Sequence, residues 1–182
     1  MNKFNLTAVS AAFCLATSIS AIGATMSKTD YQNTKTGISA HYKSDKLACK
    51  QLAGNAKDIC MAEAEGREKV AKAELEAKDE PSAKHDHNLR MTKADTNYAV
   101  AKEKCDDFSG NVKDVCTEKA KSIYVAAKAD ANVAEKTTDA RSDAADKKND
   151  ADYAVAEQKC DAFAGDAKDS CVKDAKMHYG KH

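Results

Sequence analysis

Apolar and small residues recur along this chain in steps of three and four, the spacing that keeps side chains on one face of an α-helix. The stripe is clearest in Tyr98, Ala101, Cys105 and Phe108, and it returns as Tyr153, Ala156, Cys160 and Phe163. A third version runs from Tyr42 to Cys49 and Leu52, but Asp45 stands where the others have alanine, which predicts a looser seam there. The stretches that follow carry a thinner stripe, such as Val112, Cys116, Ala120, Ile123 and Ala127. The pattern predicts an all-α chain whose helices approach closely through small residues.

Three cysteine pairs punctuate these stripes at offsets of 56 and 55 residues: Cys49 and Cys60, Cys105 and Cys116, Cys160 and Cys171. Midway in each pair stands a Gly followed by Asn or Asp, namely Gly54-Asn55, Gly110-Asn111 and Gly165-Asp166, and a Lys-Asp pair follows at Lys57-Asp58, Lys113-Asp114 and Lys168-Asp169. A fixed pattern met three times reads as internal duplication. The glycine is expected to adopt the left-handed conformation that ends the incoming helix. The Asn or Asp is expected to cap the outgoing one, and Asp58, Asp114 and Asp169 to complement its positive end. In an unbroken helix, positions eleven apart would be about 16 Å distant, beyond the ~7 Å that a disulfide tolerates between Cα atoms. The cysteines pair locally only if the chain reverses at the glycine. The expected architecture is three antiparallel helical hairpins, elongated and with little conventional core, each closed at its turn by a disulfide.

Segment boundaries follow from the breakers. Residues 1–24 read as an export signal: Met1-Asn2-Lys3, an apolar stretch from Leu6 to Ala21, and small residues at Ala21 and Ala24 for cleavage. An uncleaved anchor is the competing reading. Residues 25–41 are polar and aperiodic, and read as a flexible segment. The hairpins then occupy 42–80, 81–136 and 137–182. Pro81, the only proline, separates the first two. Thr137-Thr138-Asp139 is a weak cap between the second and third, where the chain either breaks or runs on as one helix of roughly 50 residues. Gly66 sits inside an expected helix, at a cost of about 1 kcal/mol relative to alanine.

Composition sharpens this picture. From Thr25 onward only 17 of 158 residues are Leu, Ile, Val or Phe, about half the ~20% below which disorder competes with folding. Order must come from helix propensity, narrow seams and covalent staples, each disulfide contributing roughly 3 kcal/mol in the chain-entropy account. The 29 basic and 29 acidic side chains are interspersed, and loss of Lys3 with the signal leaves a net charge of −1. This argues against a polyanion or membrane-surface binder. Removing Cys14 with the signal leaves six cysteines, an even set suited to an oxidising compartment.

Candidate chemistry is sparse. The cysteines have metal-thiolate and redox readings beside the structural one, but the chain has no Cys-x-x-Cys pair. A zinc site would need two repeats to combine. His85-Asp86-His87, and His178 with His182 four residues apart, are the metal candidates, each outweighed by a solvated-surface reading. Acidic pairs such as Asp106-Asp107 lack the buried surroundings that raise a carboxylate pKa. Basic stretches interleaved with aromatics, as nucleic-acid binding would want, are absent. No catalytic residue, cofactor site or membrane span after signal removal is expected.

With the triple Cys…Gly-[Asn/Asp]-x-Lys-Asp-x-Cys pattern and the Ala/Lys/Glu-rich run from Cys60 to Lys78, the chain resembles small exported proteobacterial proteins labelled TolA-like or cell-envelope biogenesis proteins. The resemblance spans 42–182 and implies an envelope location, with no functional residues to carry over. The expected function is a non-enzymatic, exported scaffold or interaction protein linked to stress tolerance, partnered by an envelope protein or by itself. The alternative is a periplasmic metal- or small-ligand-binding protein.

Overall fold

The computed structural model describes residues 26–181, so the segment 1–24 expected to be an export signal and His182 lie outside the described residues. Five helices follow one another: α1 (Lys28–Cys49), α2 (Gly54–Asp79), α3 (Ala83–Cys105), α4 (Gly110–Cys160) and α5 (Asp166–Tyr179). They reverse direction at each connection and pack in consecutive pairs, α1 on α2, α2 on α3, α3 on α4 and α4 on α5. The all-α class and the three cross-turn disulfides are as the cysteine spacing predicts.

Two boundaries differ from expectation. Residues 28–41, which lack an apolar period, are helical and belong to α1. The Ser27 hydroxyl caps this helix by accepting from the Asp30 amide at 3.0 Å, and Ile38 and Tyr42 line a groove against α2. Neighbour packing and a cap thus order what periodicity does not mark. The boundary expected at 136/137 falls inside α4, where Thr137 and Thr138 turn their hydroxyls back to the carbonyls of Val133 and Ala134 instead of opening a new helix. With neither Gly nor Pro between Gly110 and Gly165, nothing stops propagation. The second and third hairpins therefore share one 51-residue helix, about 75 Å long.

By contrast α2 stops at Asp79, and Pro81 precedes Ser82, whose hydroxyl accepts from the His85 amide and starts α3. At the other end, Gly180 takes a left-handed conformation (φ 65°) and Lys181 N–H donates to the Lys176 carbonyl, closing α5.

The interior is unusual in its size scale. Among the described residues the largest fully buried side chains are Cys49, Cys105 and Cys160, joined by Ala64, Ala73, Ala94, Ala120 and Ala131, with Leu75 the one large aliphatic among them. Small residues bring helix backbones together but remove little apolar area per residue. Gly66 is buried at one such contact, against Thr96 of α3. Its place in mid-helix is explained by that neighbour. The loose seam predicted at Asp45 is instead bridged, because Arg67 of α2 donates to Asp45 Oδ2 from Nε at 3.1 Å and Nη2 at 2.9 Å.

Tyrosines mark the other seams. Tyr98 of α3 stacks on Tyr124 of α4 with centroids 4.7 Å apart, and Tyr153 of α4 meets Tyr179 of α5 edge-on at 6.2 Å. The Tyr124 hydroxyl donates to Asp95 at 2.7 Å while Lys128 donates to it at 3.2 Å. Between these seams, residues 136–148 of α4 are all exposed.

Candidate functional site

The three turns are the most constructed features of the chain. Each incoming helix ends at its first cysteine and loosens into a tighter turn, with amides bonding three residues back: Leu52 to Cys49, Phe108 to Cys105 and Phe163 to Cys160. In the first two turns an extended residue follows, Ala53 (φ −130°) or Ser109 (φ −136°). The glycine comes next at φ 55–56° in all three turns, and the outgoing helix begins. The Cα atoms of Cys49 and Cys60 are 5.5 Å apart, and those of Cys105–Cys116 and Cys160–Cys171 are 5.6 Å apart. These lie within the ordinary disulfide range.

The roles within the turn differ from the sequence expectation. The left-handed glycines Gly54, Gly110 and Gly165 stand at the start of the outgoing helices, four or more residues after the incoming ones have ended. Asn55, Asn111 and Asp166 therefore fall inside the outgoing helix, and no side-chain cap opens α2, α4 or α5. Asn55 has another task. Its amide donates to the Glu103 carbonyl at 2.8 Å and to Asp107 Oδ1 at 2.7 Å, tying the first turn to the second.

The lysine after each glycine also works across its turn. Lys113 reaches Asp106 and Lys168 reaches Asp161, both at 2.8 Å. The acceptor's hydrogen bond, reinforced by its charge, raises the pKa of each lysine above the ordinary value. In the first turn the residue after the leading cysteine is Lys50, so Lys57 has no equivalent partner there. At the tips Leu52, Phe108 and Phe163 stand 44–53% exposed, so the apolar stripe ends in solvent at each turn.

Three of the described histidines lie against neighbours. His85 Nδ1 lies 2.6 Å from the Glu80 carbonyl, in the α2–α3 connection. His87 Nε2 lies 2.8 Å from Asn132 Oδ1, with Nδ1 at 3.7 Å from Glu135. His178 meets the Tyr179 ring edge-on. Among the described residues, no three His, Cys, Asp or Glu side chains gather as a metal site. Nor is any described helix long and apolar enough to cross a membrane.

Three open grooves run between helices among the described residues. Two of about 600 Å³ and 590 Å³ flank the Gly66–Thr96 contact, and one of about 600 Å³ lies between α1 and α2, where Ile38, His41, Tyr42, Asp45 and Arg67 meet.

Sequence reasoning missed Tyr124 and Tyr179. The signal was present, since Tyr124 follows Tyr98, and Tyr179 follows Tyr153, by the same 26 residues. Compared with known proteins, the chain matches no family model, no curated protein and no solved structure.

Proposed function

We propose that the chain is an exported, non-enzymatic helical scaffold of the cell envelope that acts by presenting its exposed helix faces and turn tips to a partner. The observation that carries this reading is the construction of the interior. Among the described residues the fully buried side chains are cysteines and alanines, and many larger apolar residues stand outside, with Leu47, Val112, Ile123, Val133 and Met177 all at least 60% exposed. Such a chain spends its bulky residues on its surface, where a binding partner can cover them. Three disulfides favour an oxidising compartment, which supports export.

Two experiments test the reading. N-terminal sequencing of the chain from a periplasmic fraction should begin near Thr25, and finding Met1 retained in the membrane pellet would replace export with anchoring. In-cell crosslinking through photoreactive groups at Phe108, Val133 and Phe163 should capture a discrete protein band. Absence of any adduct under conditions where the chain is abundant would count against a scaffold.

A further inference from the structure

We infer that the uncovered face of α4 docks on the same face of a second copy of this chain, in an antiparallel two-fold pair. At the contact between α2 and α3, the outgoing helix of the first hairpin packs against the incoming helix of the second. Gly66 lies against Thr96 there, both buried together with Ala73. Glu74 pairs with Lys93 at 2.8 Å across the seam.

The cysteine offsets carry each of these positions one repeat onward. Gly66 and Ala73 become Ser122 and Ala129, in the first half of α4, and Thr96 becomes Ala151, in the second half. All three are exposed. The reason is the continuity of α4. Pro81 lets α2 and α3 fold against each other, whereas the two corresponding surfaces of α4 lie on one unbroken helix and cannot meet within a chain.

Two copies remove this obstacle. At ~3.6 residues per turn, Ser122, Ala129 and Ala151 share one side of α4, roughly opposite Tyr124 and Tyr153, which face α3 and α5. Laid antiparallel, Ser122 of each copy sits opposite Ala151 of the other, with the two-fold axis near Lys136 and Thr137. The contact is self-complementary, as a closed dimer requires. Val125 and Val155, 58% and 55% exposed, border it and are covered in the pair.

Charge fits the same register. The equivalents of Glu74 and Lys93 are Asp130 and Lys148, so the pairing recurs twice across the dimer. The equivalents of the other cross-seam pair, Glu63 and Lys104 at 2.9 Å, are Lys119 and Lys159. These like charges moderate the affinity and supply a test of register.

Self-association deepens the scaffold proposal by naming its partner, yet it is read out separately. Sedimentation equilibrium of the purified, oxidised chain should show a reversible dimer. Asp130→Lys or Lys148→Asp should each raise the dimer Kd roughly tenfold, since two exposed pairs turn repulsive, and the double exchange should restore it. Lys159→Glu should tighten the dimer by placing a carboxylate opposite Lys119. Lys148 also bonds Asp152 within its own helix, so circular dichroism must first show unchanged helicity in each variant. A monomer at the highest concentration reached, or a dimer indifferent to all these exchanges, would overturn the inference. A monomer that still crosslinks to an envelope protein in cells would leave the scaffold reading standing.

Discussion

Gly66 of α2 lies so close to Thr96 of α3 that a Cβ on the glycine would stand 3.2 Å from the threonine Cβ. The threonine is held in place, because its hydroxyl donates to the Thr92 carbonyl at 2.9 Å within its own helix. Gly37 of α1 offers the contrast, with nothing within 4 Å of its missing side chain. Replacing Gly37 by alanine should therefore stabilise the chain by about 1 kcal/mol through helix propensity. The same change at Gly66 should forfeit that gain by forcing α2 and α3 apart. Gly66→Leu should cost about 3 kcal/mol. Chemical denaturation of the three variants checks the order, and an equal gain from alanine at both glycines would refute a tight contact at Gly66.

The tyrosine stack between α3 and α4 should be worth more than its hydroxyl. Tyr124→Phe removes the donation to Asp95 and should cost about 1 kcal/mol. Tyr124→Ala also removes the stack on Tyr98 and the ring's buried area, and should cost about 2–3 kcal/mol. Thermal melts rank them, and equal losses would assign the whole effect to the hydroxyl.

The disulfides should differ in reach. α5 packs on α4 alone, so replacing Cys160 and Cys171 by alanine should release α5 locally. Amide exchange in residues 166–179 should accelerate while α2 and α3 keep their protection. Replacing Cys105 and Cys116 strikes the middle of the array and should lower the global melting temperature, in line with the roughly 3 kcal/mol expected of such a loop. Loss of protection throughout the chain from the first variant would show that α5 supports the rest.

The turn lysines should impose an alkaline limit. Lys113 and Lys168 have folded pKa values raised by Asp106 and Asp161. Whatever stability these pairs give is fully present below the unfolded lysine value of about 10.4 and is lost as pH climbs through the raised folded value. Lys113→Met should therefore lower the melting temperature at pH 7, and its gap from the parent chain should close as pH climbs through the raised lysine value. A gap that persists in strong alkali would trace the effect to packing of the lysine stem.

The turns were legible in the sequence because every participant lies within a dozen residues, and cysteine spacing and glycine conformation constrain the same reversal. Asn55 was misread for the opposite reason. Its partners Glu103 and Asp107 are 48 and 52 residues away, and nothing local distinguishes an Asn that caps its own helix from one that ties two turns together. The α1 extension from Lys28 to His41 was hidden because its order comes from a single serine cap and a groove on α2, neither of which leaves a period. The course of α4 was legible only as a choice between breaking and continuing, since a missing breaker permits a helix without demanding one.

The exposed stretch 136–148 of α4 sets a rotational phase. Tyr124, which meets α3, and Tyr153, which meets α5, are 29 residues apart, about eight full turns at ~3.6 residues each. That near-whole number is why α3 and α5 lie along the same side of α4. Removing one residue from the stretch would swing α5 about 100° around the axis while leaving every contact within either hairpin untouched. Inserting seven would move it about 10 Å along the axis with only a small rotation. The stretch makes few contacts with the rest of the chain, so its length rather than its side chains fixes the angle at which the last hairpin is displayed.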